Sequence, residues 1–129
     1  MRPFGLCTLI VGFAAGAQGC APTPVIYLTE PSGVHSEWKA NAIGRGAKPV
    51  REFLEKAHAD GLSRDDTVKL TVRALLEVVQ TGAAMIEVAV MTADGAVQHL
   101  SVDDVQAVID VVEREKAEEA DKRRTTPTA

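Results

Sequence analysis

The chain has 129 residues, 46% apolar and 25% charged, with a formal net charge of −4. These proportions describe one globular domain and exclude a disordered polymer. A pI near 5.3 leaves no basic field for nucleic acid.

Arg2 precedes an apolar run from Pro3 to Ala15, and small residues follow up to Cys20. A cationic start, a short apolar stretch and a small-residue exit form the pattern of a secretory signal, and Ala17-Gln18-Gly19-Cys20 resembles a loose lipoprotein cleavage site. The run is too short to span a bilayer, which takes about 20 apolar residues. The rival reading is a strand over Gly5–Phe13, because Leu9, Ile10, Val11 and Phe13 form the continuous apolar run of a strand covered on both faces. Ala14–Pro24 is rich in Ala, Gly and Pro and reads as a loop.

A second strand, about Val25–Thr29, ends at Glu30-Pro31-Ser32-Gly33, where proline presets a turn and glycine lets the chain reverse. A third strand is expected over His35–Ile43, with Trp38, Ala40 and Ala42 on one face. Three short strands joined by turns make an antiparallel meander the simplest topology. Gly44 and Gly46 break the last strand, and Pro49 opens a helix to Ala59 at a position whose N–H needs no partner. Val50, Phe53, Leu54 and Ala57 form its apolar stripe.

Ser63 is placed to cap a second helix, with Asp66 as a capping-box-like partner and Asp65 and Asp66 at the positive end of the helix dipole. Val68, Val72, Leu75, Leu76 and Val79 form its stripe, and Gly82 suits the residue just past its end. From Met85 to Thr92, Ile86, Val88 and Val90 alternate with Glu87, Ala89 and Met91, predicting a strand with one face buried. Asp94-Gly95 is a hairpin turn signal, and Val97–Leu100 is the return strand. Ser101 caps a last helix with Val105, Val108, Ile109 and Val112 on its inner face. From Glu113 to Arg124 ten of twelve residues are charged, so the helix is expected to leave the body there and Thr125–Ala129 to be disordered. The order is three strands, two helices, two strands and one helix, which points to layered α+β rather than a doubly wound parallel sheet.

The chemistry-bearing residues assemble into no familiar site. Cys7 and Cys20 allow one disulfide and no framework. The potential metal ligands Cys7, Cys20, His35, His58 and His99 lack the short spacing of a zinc site. Glu52, Glu55, Asp65, Asp66, Asp103 and Asp104 fall on helix exteriors or capping positions. Gly44, Gly46, Ala47 and Lys48 precede a helix, but no Gly-Lys-Ser/Thr follows, and Pro49 stands where a dinucleotide fingerprint needs its third glycine. Trp38 reads as sheet packing, and Lys122-Arg123-Arg124 as solvated tail with acidic residues nearby. No catalytic, cofactor-binding or metal-binding residue is assigned, and no cofactor is expected.

Several blocks then carry a family resemblance: Arg2-Pro3-Phe4-Gly5, Leu9–Phe13, Tyr27, Pro31-Ser32-Gly33, Trp38–Lys48, Val50–Lys56, Ala74–Gln80 and Ile86–Met91. In this order they resemble the C-terminal half of proteasome core-particle (20S) alpha subunits. Lys39–Lys48 is most similar to the alpha type-7 subgroup, which takes the fourth position of the eukaryotic ring. The resemblance implies an α+β fold, the four-layer αββα sandwich of N-terminal nucleophile hydrolases, here incomplete and represented by its second half. It implies a domain portion over residues 1–115 and a charged, disordered tail over 116–129. It also turns the apolar N-terminal run into an internal strand, leaving a small secreted or lipid-anchored binding protein, with residues 1–19 as signal peptide, as the alternative.

By the same resemblance the chain is a non-catalytic structural subunit, or a fragment of one, in the cytoplasm and nucleus. Its partners are the other alpha and beta subunits of a hetero-oligomer that degrades proteins, with ubiquitin-dependent catabolism among its tasks. Neither nucleic acid nor membrane is expected as a partner. The active beta subunits use an N-terminal threonine, whereas Met1 and Arg2 begin this chain and Thr8 lies in an expected strand. The family's gating tail and activator-docking lysine belong to the half not represented, so no docking residue is carried over. Ala14–Pro24 replaces a shorter acidic, glycine-containing hairpin turn of the family.

Overall fold

The computed structural model describes residues 5–16, 20–79 and 82–125, with side chains through Lys122. Its elements follow the expected order of three strands, two helices, two strands and a helix. They group into two compact units, one formed by the chain up to His58 with Val90–Gln98, the other by Ala59–Ala89 and the chain from His99.

In the first unit β1 (Thr8–Ala14), β2 (Thr23–Thr29) and β3 (His35–Trp38) form an antiparallel sheet in that order. The register pairs Leu9 with Leu28, Val11 with Ile26, and Ile26 with Trp38, so these apolar side chains share one face. Ile10 pairs with Tyr27, and Tyr27 with Glu37, on the other. The turn at Glu30–Gly33 forms as expected: Gly33 N–H donates to Glu30 O at 2.9 Å, and Gly33 adopts a φ of 86°, which favours glycine.

The third strand is shorter than the alternation of Trp38, Ala40 and Ala42 implied, since β3 ends at Trp38. Local bonds take over there. The indole N–H of Trp38 donates to Ser36 Oγ at 2.6 Å, and Ala42 N–H donates to Asn41 Oδ1 at 2.7 Å. The second of these occupies a backbone N–H, and such a bond competes with a sheet ladder. The helix that follows, α1, spans Ala47–Ala57. Pro49 is thus its third residue rather than its first, still within the turn whose N–H groups have no helical partner. The buried residues of α1 are Ala47, Val50 and Leu54, and with Leu28 they form the core of this unit. Ala57 is exposed, so the apolar stripe begins a turn earlier than expected.

In the second unit α2 (Arg64–Leu75) starts where Ser63 predicts: Asp66 N–H donates to Ser63 Oγ at 3.2 Å. The helix ends before Gly82, which has a φ of −78° and precedes a 3₁₀ turn over Ala83–Met85. Gly82 is therefore not the left-handed residue closing α2. The strand expected from Met85 is also shorter. Met85 ends the 3₁₀ turn with 81% of its surface exposed, and β4 covers only Ala89–Met91. Ile86, Val88 and Val90 nevertheless stay more buried than Glu87 and Ala89, so the inward alternation survives without a full ladder.

β4 and β5 (Val97–His99) form the hairpin anticipated at Asp94-Gly95, whose Val90–Gln98 portion groups with the first unit rather than the second. Thr92 N–H donates to Ala96 O at 2.9 Å, and Gly95 has a φ of 83°. The last helix, α3, runs from Val102 to Thr125. Val72, Ala83, Ile86, Val105 and Ile109 make the core of this unit, with Val68, Leu76, Val88, Leu100 and Val108 packed around it. Val112 is fully buried. Each large aliphatic side chain buried in such a core contributes about 1.5–3 kcal/mol.

The expected departure of α3 from the body at Glu113 does not occur over its next two turns. Glu115 pairs with Lys69, Lys116 with Glu77, and Glu119 with Arg73. Glu115 and Glu119 thus meet opposite charges on α2, and Lys116 meets Glu77 in the turn just past its end.

Candidate functional site

An open concavity in the first unit follows from the strand-to-helix elbow. Gly44 and Gly46 have φ values of 102° and 81°, a region that disfavours residues with a Cβ. Ala47 N–H then donates to Gly44 O at 3.2 Å, tying the start of α1 to the turn. This reversal sets the polar side of α1 opposite the end of β3 and leaves an open cleft of about 790 Å³. Its walls include Trp38, Lys48, Arg51, Glu52, Glu55 and His58. Trp38 is 40% exposed: it pairs with Ile26 in the sheet and also forms a wall of this cleft.

Among the described residues, none that lines the cleft carries a hydroxyl or thiol. The cleft cannot hold a Ser–His or Cys–His pair, and its mixed charge differs from the mostly apolar pockets that enclose small ligands. Gly44 and Gly46 supply the left-handed backbone of the elbow, and Lys48 lines the cleft.

The remaining candidates are dispersed. His35 starts β3, His58 caps α1 by donating its backbone N–H to Leu54 O at 2.8 Å, and His99 ends β5. Among the described residues no three His, Cys, Asp or Glu side chains are grouped to hold a metal ion. Cys7 and Cys20 are free and exposed. They flank β1, whose seven residues span about 20 Å at ~3.4 Å per residue. A disulfide needs Cα atoms within about 7 Å, so the single bridge that two cysteines allow does not fit this hairpin.

Thr8 lies on β1, opposite Thr29. Met1 and Arg2 lie outside the described residues. Asp65 and Asp103 occupy first turns of helices, while Asp66 and Asp104 accept hydrogen bonds from Ser63 Oγ and Ser101 Oγ, both at 2.7 Å. The Ser101 hydroxyl holds the Asp104 carboxyl below its ordinary range, and the Thr92 hydroxyl does the same for Asp94. These depressions come from caps and a turn, not from a buried catalytic environment. Lys122 is on the exposed last part of α3, and the side chains of Arg123 and Arg124 lie outside the described residues. No helix among the described residues is long and apolar enough to cross a membrane.

Sequence reasoning missed the ionic face between α2 and α3. Lys69, Arg73 and Glu77 recur every four residues, as do Glu115 and Glu119, and that spacing was the available signal. It identifies a charged stripe on each helix without revealing that the two stripes meet.

Comparison with protein families gives the deciding observation, because a family model described as "Proteasome subunit" matches residues 1–91. The chain belongs to the proteasome subunit family. Among its relatives are proteasome subunit alpha type-7 of Cicer arietinum, 46% identical over 127 residues, which cover 98% of this chain and 49% of that protein. Proteasome subunit alpha type-7-A of Arabidopsis thaliana is 48% identical over 118 residues, 91% of this chain and 45% of that protein. Proteasome subunit alpha type-8 of Mus musculus is 45% identical over 126 residues, 96% and 48% respectively. The chain therefore spans about half the length of these proteasome relatives. Its mixed helix and strand content is that of an α+β member of the family. Residues 1–19 fall inside the family match, and Thr8–Ala14 is a paired strand. The reading of that stretch as leader of a secreted binding protein finds no support.

Proposed function

We propose that the chain acts as a non-catalytic, structural alpha-type subunit of the 20S proteasome. It contributes to the outer ring that stacks on the catalytic beta ring during ubiquitin-dependent and other proteasomal degradation. The observation that carries this reading is identity of 45–48% to alpha-type subunits over more than nine-tenths of the chain. Its partners are the neighbouring alpha and beta subunits, in the cytoplasm and nucleus, and it assigns no catalytic, cofactor or metal residue to the chain. Peptide hydrolysis stays with the threonine-bearing beta subunits, and nucleic acid and membrane are not partners. Activator docking is not assigned.

The finer fold reading is the second half of a four-layer αββα sandwich, with residues 1–115 as its domain portion and 116–129 as a charged extension. Ile10 and Val11 support it, since they lie on opposite faces of β1 and are 52% and 56% exposed. A strand apolar on both faces suits a sheet enclosed between layers. The test is affinity purification of an epitope-tagged chain from its host, followed by native electrophoresis with a peptidase overlay. Co-migration with active 20S particles is the expected result. A tagged chain that never enters particles, under conditions where other alpha subunits do, overturns the assignment.

A further inference from the structure

α3 is held on α2 by two different kinds of contact along its length. Up to Val112 the contact is apolar, with Val105, Ile109 and Val112 almost wholly buried. Beyond Val112 the sequence offers no large aliphatic side chain, and the contacts become ionic. Lys69 Nζ lies 3.0 Å from Glu115 Oε1, Lys116 Nζ 2.7 Å from Glu77 Oε1, and Arg73 Nη2 2.7 Å from Glu119 Oε2. These six side chains retain between 24% and 49% of their exposure, so dissolved ions reach them.

We propose that residues 113–125 form an electrostatic strap, a segment of α3 that docks on α2 through these pairs and is released by ionic strength. The apolar half, Val102–Val112, stays in place. Apolar burial does not depend on Coulomb attraction, whereas exposed ion pairs weaken as salt shortens the screening length. Once undocked, the segment is continuous with the rest of α3 at its start and loses its tertiary support elsewhere, so it frays inward from the C-terminal end. The device makes the C-terminal turns of α3 responsive to ionic conditions, and to any acidic segment competing for Lys69 and Arg73, without disturbing the core. It rests on α2 and α3 alone and stands apart from the functional assignment.

The test is amide hydrogen exchange, read by mass spectrometry on the full chain between about 0.05 M and about 0.5 M NaCl, where screening shortens from over 10 Å to about 4 Å. The expected result is a severalfold faster exchange over 113–122, with little change over 102–112. A Lys69→Glu, Arg73→Glu double variant should show the fast exchange already at low salt. Adding Glu115→Lys and Glu119→Arg should restore the slow exchange. Salt-independent exchange over 113–122 in the unsubstituted chain overturns the proposal, as does parallel loss of protection over 102–112. The salt series needs no substitution, so the test survives variants that fail to fold.

Discussion

Arg73 and Glu119, 46 residues apart in sequence, meet through two parallel hydrogen bonds of 3.1 and 2.7 Å. The guanidinium fork and the carboxylate match in shape, an arrangement a lysine cannot reproduce. The Glu119 hydrogen bond raises the Arg73 pKa above the ordinary guanidinium value. A raised value contributes stability that is fully present below the ordinary guanidinium value and is lost only as pH rises through the higher folded one. Arg73 itself therefore adds no pH dependence between pH 5 and 9 (roughly the working range of most proteins). Because the pair is partly solvated, Arg73→Ala should cost only about 0.5–1 kcal/mol. Arg73→Lys should recover less than half of that, as read from urea unfolding midpoints.

The cap of α2 predicts a second outcome. Ser63 Oγ accepts from Asp66 N–H and donates to the Asp66 carboxylate, so Ser63→Ala should destabilise the chain by about 1 kcal/mol. Ser63→Thr, which keeps a hydroxyl able both to accept from Asp66 N–H and to donate to its carboxylate, should lose much less in the same thermal unfolding measurement.

Asp104 gives a pH signature at the start of α3. Ser101 donates to its carboxylate and lowers its pKa below the ordinary 3.8. A depressed carboxyl contributes stability above its unfolded value and loses it as pH falls through the folded one. The stability gap between the parent chain and Asp104→Asn should be constant from neutral pH down to about pH 5. It should then close as the pH drops below 3.8. A gap that persists at the lowest pH where both proteins remain folded would contradict the assignment of the shift to this cap.

Ile109 and Met85 separate packing from mere hydrophobicity. Ile109 is 4% exposed and Met85 81% exposed. Truncating Ile109 to Ala should cost about 2–5 kcal/mol, including the cavity left behind. Met85→Ala should stay within about 0.5 kcal/mol. Paired denaturation curves check both.

β1 carries no charged residue and leaves Ile10 and Val11 exposed. Exposed apolar edge strands recruit other strands, so the isolated 129-residue chain should self-associate in sedimentation velocity runs. Val11→Lys should shift the distribution toward monomer. A monodisperse parent chain would remove the basis for this prediction.

What could be read from residues alone was mostly local. Ser63 and Ser101 mark helix starts because each cap involves a residue three positions away. Gly33 and Gly95 mark turns because their backbone conformations suit glycine. The length of β3 was not legible, since alternation at Trp38, Ala40 and Ala42 shows an extended preference but not whether a neighbouring strand is available. The same limit applies to Met85, where the pattern called for a strand and local bonding gave a 3₁₀ turn. At the candidate site, the Gly44–Gly46 elbow was foreseeable. The opposition of Trp38 to the polar side of α1 required knowing where the elbow turns the chain. The α2–α3 pairs were least legible, because partners such as Lys69 and Glu115 lie 46 residues apart.

The positions of Cys7 and Cys20 at opposite ends of β1 bear on how the chain behaves in air. Two thiols that cannot close on each other make each molecule a bifunctional monomer in the polymer chemist's sense. Oxidation then joins separate molecules end to end, giving a reducible ladder of dimers, trimers and longer chains on a non-reducing gel.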